Sequence, residues 1–282
     1  MLHFGKTNRG FTLIELITVI IVLGVVSVGI SGFIRTGVEI YSDVTERDQL
    51  LGDSRFVVER INRELRMAIP NSARVTANSS GTIQCVEFVP LEWGSFYTSL
   101  SVLPDTSTQA TVVEWGNNPD GFIWQAGDFA VVYPTNNNEV YDVSLNKRIQ
   151  MTACSDGGAD SACSTADDPN GTAQLTLAAA FDDHSPASRL YIARRTVSYC
   201  ANSSNRSIFR NEGNITETQL VYSSGTLMAE NISNDFNNSD EAPFKIYGAT
   251  LTRNSMVHIL LGFERNEEII NYSSEVHIPN VP

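Results

Sequence analysis

The N-terminal region contains the run RGFTLIELITVIIVLGVVSVGISGFI, residues 9–34, around which we expect the rest of the chain to be organised. Its apolar part, from Phe11 to Ile34, is 24 residues long and carries one ionisable side chain, that of Glu15. A helix of this length would measure roughly 36 Å. That is longer than the hydrocarbon core of a bilayer, which is roughly 30 Å thick. The stretch therefore predicts a helix that spans a membrane.

Glu15 is unusual in such a segment. A carboxylate in the apolar part of a membrane helix costs about 2.5–3.5 kcal/mol, so it usually has a partner, and the apolar run contains no Lys or Arg. One interpretation is that the side chain reaches the headgroup layer. The other is that its partner lies on another molecule or is a newly freed N-terminus. Cleavage after Gly10 would place an ammonium group at Phe11, four residues from Glu15.

The hexapeptide GFTLIE, residues 10–15, resembles the cleavage and methylation motif of type IV pilins and of the pseudopilins of type II secretion. In that family a prepilin peptidase cuts after the glycine and methylates the new N-terminal residue. The spaced carboxylate then pairs with the N-terminus of a neighbouring subunit. The resemblance implies that Gly10 is the cleavage residue, Phe11 the methylated residue and Glu15 the assembly carboxylate. It implies as partners the prepilin peptidase, the major pilin and other minor pilins.

A cleaved secretory signal is the main alternative for this segment. Such a signal has an apolar core of about 7–15 residues followed by a small-residue cleavage site. The run here is longer and has no such site at its end. Lys6 and Arg9 favour a cytoplasmic N-terminus and an exported body. We therefore expect the protein in the bacterial inner membrane and then, by the resemblance, in a pilus fibre.

An amphipathic pattern continues after Ile34. Apolar residues recur every seven positions at Val44, Leu51, Val58 and Leu65. Charged residues lie between them, which is typical of a helix with one buried face, and Pro70 ends the pattern. We predict one helix over residues 11–69. The expected organisation is a leader (1–10), a membrane and assembly half of the helix (11–34), an amphipathic half (35–70) and a β-rich head (71–282).

The head is predicted to be built from short strands. Runs rich in Val, Ile, Tyr and Phe alternate with Gly, Pro, Asn and Asp clusters. The candidate strands are Ile83–Val89, Thr111–Trp115, Asp128–Tyr133, Val140–Met151, Gln174–Phe181, Arg189–Cys200, Gln219–Tyr222, Phe244–Thr252, Val257–Phe263 and Ile269–Ile278. Leu227–Phe236 is expected to be a turn or a short helix. The sequence thus predicts an α+β fold, a long N-terminal helix packed on a mainly antiparallel sheet, as in type IV pilins.

Four segments of the body are similar to minor pilins of the MSHA type, a group related to J-type pseudopilins and W-type minor pilins. They are residues 55–72, 227–236, 251–263 and 276–282. This resemblance implies a low-copy subunit that primes or caps the assembly of a type IV pilus. A minor pseudopilin of a type II secretion system and a pilus-tip adhesin are the alternatives.

Composition and motifs argue against other classes. The net charge is −13, and removal of Lys6 and Arg9 with the leader would leave 17 basic against 32 acidic residues, or −15. Such an acidic body disfavours binding of nucleic acid. There is no GxSxG, HExxH, P-loop or GxGxxG motif, and the four histidines have no ligand spacing. We therefore expect no enzymatic activity and no cofactor.

The four cysteines all follow the membrane segment, and their even number suits an oxidising compartment. Cys154 and Cys163 are close in sequence and are expected to form one bridge, which leaves Cys85 with Cys200. Four cysteines allow three pairings, and the sequence does not decide among them. No CxxC or Cys/His zinc spacing is present.

The loop CSDGGADSACSTADDPNG, residues 154–171, carries four aspartates: Asp156, Asp160, Asp167 and Asp168. Clustered carboxylates with nearby carbonyls could supply the six to eight oxygen ligands of a structural calcium ion. The EF-hand spacing is absent, and a solvated, disulfide-pinned loop is the favoured interpretation.

Residues 185–211 contain five arginines, three aromatic residues and no acid. Arginines with aromatic residues can bind single-stranded nucleic acid, and alternation along a strand can equally give a solvated face. In so acidic a protein we expect these arginines to dock onto an acidic patch of another subunit.

Overall fold

The computed structural model describes residues 10–113, 123–157, 163, 171–248, 255–266 and 268–279. The chain divides into two compact units, residues 1–50 and 51–282. In the first unit, the described part consists of Gly10–Thr12, which are not helical, and the start of a single helix, α1, which runs from Leu13 to Arg66 over 54 residues. In the second unit, α1 buries one stripe of apolar side chains: Val57, Val58, Ile61 and Leu65.

The helix is shorter than the predicted span of residues 11–69. After Arg66, the N–H groups of Met67 and Ala68 bond to carbonyls three residues back, at 3.1 Å each, so the last turn tightens. The N–H of Ile69 then donates to the carbonyl oxygen of Val89 at 2.9 Å. The helix ends where the backbone finds this partner outside it, and Pro70 cannot continue it.

The described part of the head contains fourteen strands. They are β1 Arg74–Ala77, β2 Ile83–Phe88, β3 Trp93–Leu100, β4 Gln109–Val113, β5 Phe129–Val131, β6 Arg148–Asp156, β7 Thr172–Leu177, β8 Arg189–Ala193, β9 Thr196–Asn202, β10 Ser207–Gly213, β11 Thr226–Glu230, β12 Phe244–Tyr247, β13 Ser255–Arg265 and β14 Glu268–Ile278. All the strand pairs are antiparallel. The predicted α+β class and the mainly antiparallel head are confirmed.

The strands form three groups. A five-stranded sheet has the order β1-β2-β9-β10-β11, and a three-stranded sheet has the order β12-β13-β14. The remaining six strands close into a barrel, β3-β4-β7-β6-β5-β8. The barrel is one continuous insertion, because all its strands lie between β2 and β9, which are neighbours in the five-stranded sheet. Its interior is a packed core that includes Val112, Leu175 and Ile192.

Several predicted elements differ from the structure. The run Arg189–Cys200, predicted as one strand, is β8 of the barrel and β9 of the five-stranded sheet, separated at Arg194. Val140–Met151 was also predicted as a strand. Its first two residues belong to helix α2, Asn137–Tyr141, a 3₁₀ turn follows at Val143–Leu145, and its last four residues lie in β6. Part of Leu227–Phe236 is strand β11 rather than a turn or helix, and Gln219–Tyr222 is not a strand. Whether each of these segments forms a strand, a helix or a loop depends on neighbours that are distant in sequence.

Candidate functional site at the start of the apolar helix

The residues around the expected cleavage position are not helical. Gly10, Phe11 and Thr12 precede the first helical residue, Leu13. Phe11 is 76% exposed, and among the described residues no atom lies within 4 Å of a Cβ atom placed at Gly10. Crowding by the described part of the chain therefore does not require glycine at position 10. If only glycine functions there, the requirement comes from the enzyme that cuts the chain.

Thr12 is the N-cap of α1. Its carbonyl oxygen accepts a hydrogen bond from the N–H of Leu16 at 3.2 Å, and its Oγ1 accepts one from the N–H of Glu15 at 3.4 Å. The spacing Thr12-x-x-Glu15 is that of a capping box. Glu15 is therefore part of the helix cap through its backbone N–H, in addition to its expected role in assembly. The threonine three residues before it is the signal for this cap in the sequence.

The Glu15 carboxylate lies in the first turn of α1, where the positive end of the helix dipole favours an anion. Its side chain is exposed and is surrounded along the helix by apolar residues. The next basic residue after it on α1 is Arg35, twenty positions further along. The helix therefore presents one carboxylate near the start of a surface that otherwise carries no charge for about five turns.

The apolar surface of α1 is uncovered within the protein. Its most apolar 18-residue window has a mean hydropathy of 2.7, and none of that window is buried. By length and composition, α1 is able to cross a membrane. The exposed apolar side chains, which include Ile14, Ile21 and Phe33, form a continuous patch of the kind that lipid or other helices cover.

The cysteines form two disulfides, Cys85–Cys200 and Cys154–Cys163. The first joins directly opposite residues of β2 and β9. The second closes a loop at the end of β6, where Asp156 Oδ2 accepts a hydrogen bond from the N–H of Cys163 at 3.1 Å. Among the described residues, no group of three His, Cys, Asp or Glu side chains could hold a metal ion. Asp160, Asp167 and Asp168 lie outside the described residues, so calcium binding stays a hypothesis.

The arginines of residues 185–211 do not form the predicted basic docking surface. Four of them are paired with carboxylates of the same chain: Arg194 with Asp128 and Glu92, Arg195 with Glu92 and Glu212, Arg206 with Glu264, and Arg210 with Glu64 and Glu212. The fifth, Arg189, lies over the ring of Phe96, with 5.5 Å from its Cζ to the ring centroid. Apart from Glu212, which lies two residues after Arg210, these acidic partners are distant in sequence, so the local arginine pattern gave no sign of them.

The pairing affects the basicity of these groups. A hydrogen bond to the fully buried Asp128 raises the pKa of Arg194 above its ordinary value. Burial alone would lower the pKa of Arg210, but hydrogen bonds to Glu212 and Glu64 raise it. Both guanidinium groups stay charged at physiological pH and tie strands of the head together.

An exposed apolar helix with a capped start, preceded by a short basic leader, defines the class of membrane-anchored subunits that are processed at their N-terminus. The family model of the prokaryotic N-terminal methylation motif matches residues 5–31. This match supports a type IV pilin-like protein that is processed by a prepilin peptidase and assembled with other pilins. Together with the apolar helix, it fits a pilin that is anchored in the inner membrane and later incorporated into a pilus. Comparisons with curated proteins and with solved structures give no match.

Proposed function

We propose that the protein is a minor pilin-like structural subunit that primes or caps assembly of a type IV pilus of the MSHA type. The observation that carries the proposal is the match to the methylation motif on an exposed apolar helix with Glu15 in its first turn. In this proposal the helix resides first in the inner membrane and then among the helices of the fibre. Glu15 pairs there with the methylated ammonium group of Phe11 on a neighbouring subunit, which removes the cost of an unpaired carboxylate.

The size of the head supports a low-copy role. Residues 71–282 are 212 residues, which include an inserted six-stranded barrel. A head of this size would crowd a repeating shaft, whereas the fibre tip has room for it. We infer that the role is structural rather than enzymatic.

The N-terminus of the membrane-extracted protein tests the proposal. Mass spectrometry is expected to find a chain that starts at methylated Phe11, and a Gly10→Val variant is expected to retain its leader. Phe33→Val, in the same apolar helix but far from the cleavage position, is the control and is expected to be processed normally. A mature wild-type chain that still carries its first ten residues would contradict the proposal.

A minor pseudopilin of a type II secretion system is the second candidate, because the same motif serves both fibres. A deletion strain separates the two. The proposal expects loss of pili with secretion of exported enzymes unchanged, and the pseudopilin alternative expects the reverse.

A further inference from the structure

Strand β14, Glu268–Ile278, is the longest open edge of the described sheets. It has 11 residues and is the last strand of the sheet β12-β13-β14, where its one partner among the described strands is β13. Strands in globular proteins usually have about five or six residues. The other edges of the two open sheets are β1, β11 and β12, which have four or five residues each. β14 is therefore the edge that offers the most backbone to a further strand.

The hydrogen bonds of β13 show which backbone groups of β14 face the open side. The N–H groups of Leu260 and Glu264 donate to segments on the side of β13 remote from β14, at 2.9 Å each. The residues directly opposite them on β14 are Ser273 and Ile269. In an antiparallel ladder, opposite residues either exchange hydrogen bonds or both bond away from each other. The residues of β14 whose N–H and C=O groups face the open side are therefore alternate ones: Ile269, Asn271, Ser273, Glu275 and His277.

These outward N–H and C=O groups have no backbone partner in the part of the chain that the structure describes. The five residues that carry them are all exposed, and Ile269 is 60% exposed. A row of unpaired backbone groups on a sheet edge is a template for pairing with another chain. The open side of β14 thus offers main-chain hydrogen bonds along its whole length.

β14 lacks the features that usually protect such an edge. Lysine, proline and a β-bulge are common ones. β14 contains no lysine or proline, and its register with β13 is unbroken from Glu268 to Ile278. Pro279 follows the strand and so leaves its backbone donors in place. By contrast, the edge strand β11 pairs with β10 across a register shift. A long edge without protection favours pairing with another chain.

Helix α1 holds β14 in place. Ser54 Oγ donates to the hydroxyl of Tyr272 at 3.2 Å, and Ser274 Oγ donates to Asn62 Oδ1 at 3.2 Å. Tyr272 and Ser274 alternate with the outward residues, so their backbone groups bond to β13. The ring of Tyr272 also packs edge-on against Phe263, with 6.2 Å between the ring centroids. The edge is therefore ordered before a partner binds, which lowers the entropic cost of binding.

We propose that β14 accepts an extended strand from a different pilin-like subunit of the same fibre, as the fourth strand of the sheet β12-β13-β14. This inference rests on the proposed fibre role. Charge indicates the kind of strand. The outward row carries the carboxylate of Glu275, which has no ion pair within the described residues. Opposite charges directly across two strands stabilise their pairing, so the partner strand carries a lysine or arginine opposite Glu275.

A second copy of the chain fits this edge poorly. Two antiparallel β14 strands are related by a two-fold axis perpendicular to the sheet, which reverses the direction of residues 51–66 of α1 packed on it. Subunits that enter one membrane with the same orientation have parallel helices. In addition, the chain has a net charge of −13, so two copies repel each other. A different subunit with a basic strand meets neither obstacle.

Hydrogen–deuterium exchange of the full-length protein in detergent, with residue-level mass spectrometry, tests the pairing. The probes are the other proteins of the same organism that carry the N-terminal methylation motif, purified in the same detergent and added one at a time. At least one is expected to bind saturably and to slow exchange at the outward amides of β14 at least about tenfold. The amides of β11 are expected to be unaffected. Protection of alternate residues separates strand pairing from a contact made by side chains alone.

A proline variant tests the main-chain bonds. Ser273→Pro removes one outward N–H and leaves the bonds to β13 in place, because the N–H of Ser273 faces the open side. It is expected to raise the Kd for the bound subunit at least about tenfold. Ser273→Thr is the matched control, because it retains both the N–H and the hydroxyl. It is expected to change the Kd by less than about twofold.

A charge variant leaves the backbone unchanged. Glu275→Lys is expected to raise the Kd about threefold or more at low salt, since it places two basic side chains opposite each other. The difference from the wild type should shrink at high salt. Glu230→Lys is the control, because Glu230 is an exposed carboxylate at the end of β11. It is expected to leave the Kd unchanged.

The proposal is overturned if none of the probes binds, or if binding leaves the outward amides of β14 unprotected. It is also overturned if Ser273→Pro binds as well as the wild type. Should Ser273→Pro melt lower than Ser273→Thr, Glu275→Lys decides, and unchanged binding of that variant is the contradicting result. A concentration-dependent dimer of the protein alone, with the same protection of β14, would identify a second copy as the occupant instead. Processing at Gly10 is measured separately, so failure here leaves the proposed fibre role unaffected.

Discussion

Arg210 of strand β10 is ion-paired with Glu64 of helix α1, with 3.1 Å between Nε and Oε2. The two residues are 146 positions apart in sequence. Each side chain is mostly buried, at 15% and 21% exposure. Arg210 also donates to Glu212 at 2.8 Å, and Glu64 accepts from Arg60 at 3.0 Å. Arg210 thus fastens the amphipathic end of α1 to the five-stranded sheet.

The first prediction concerns this pair. Arg210→Gln should lower the free energy of unfolding of the head by about 1.5–3 kcal/mol, the range for hydrogen bonds to charged groups. Tryptophan fluorescence during chemical unfolding of the full chain measures it. Arg63→Gln is the control, because Arg63 is exposed on the same helix, and it should change stability by less than about 0.5 kcal/mol. A double-mutant cycle with Glu64→Gln should show coupling of about 0.5–3 kcal/mol, and zero coupling would contradict the assignment.

The second prediction concerns the buried pair Arg74–Glu87, which lies directly across β1 and β2. Arg74 Nε donates to Glu87 at 2.9 Å, and its guanidinium lies 3.4 Å from the centroid of the Tyr141 ring. Burial raises the pKa of Glu87 above its ordinary value even with Arg74 beside it. Arg74→Met leaves a buried carboxylate without a counter-charge. It should cost about 3–5 kcal/mol at neutral pH.

The sign of the pH dependence follows from the raised pKa. A carboxyl whose folded pKa is raised loses its contribution to stability as the pH rises through that pKa. Removal of Arg74 raises the pKa of Glu87 further, so the stability deficit of Arg74→Met should shrink as the pH falls from about 7 to about 5. Unfolding at the two pH values measures this. Arg55→Met, at an exposed position, is the control, and an equal deficit of Arg74→Met at both pH values would show that Glu87 is not the cause.

The third prediction concerns assembly. Glu15→Val should leave cleavage at Gly10 intact, because the peptide bond lies outside the helix that contains Glu15. It should reduce incorporation into fibres roughly tenfold or more, since in the proposed pairing the ammonium group of the neighbouring subunit would lose its carboxylate partner. Quantitative blotting of sheared fibres against the membrane fraction measures this. Glu39→Val, an exposed carboxylate further along α1, is the control. Normal incorporation of Glu15→Val would refute the pairing.

The fourth prediction compares the two disulfides. Cys85–Cys200 joins residues 115 positions apart and Cys154–Cys163 residues 9 positions apart. A disulfide lowers the entropy of the unfolded chain, and the loss grows with the length of the closed loop. It is expected to stabilise the folded protein by about 5 kcal/mol for the first bridge and about 2.5 kcal/mol for the second. Replacing both cysteines of the first pair by Ala should therefore lower the melting temperature of the head more than the same change in the second. Each double variant serves as the control for the other, and the opposite order would contradict the prediction.

The local pattern of apolar and turn residues was enough to predict part of the fold. The apolar run from Phe11 and the seven-residue repeat after it predicted a long helix, and alternation with turn residues predicted an antiparallel head. The local pattern failed where a choice depended on distant partners. Arg189–Cys200 was predicted as one strand because the run is rich in residues that favour strands, among them Tyr191, Ile192 and Val197. In the fold it changes from the barrel to the sheet at Arg194, whose partner Asp128 is 66 positions away.

The order of residues alone was enough to predict the membrane helix, the processing motif at Gly10 and Phe11, and the isolated carboxylate of Glu15. These features depend on the order of residues within a few helical turns, and their physics is that of one helix in lipid. The tertiary structure was needed to show that the six strands between Trp93 and Ala193 close into a barrel. It was also needed to show that four of the five arginines of residues 185–211 are paired with carboxylates of the same chain. Each of these features depends on which distant segments contact one another, and a local pattern of residue types does not predict those contacts.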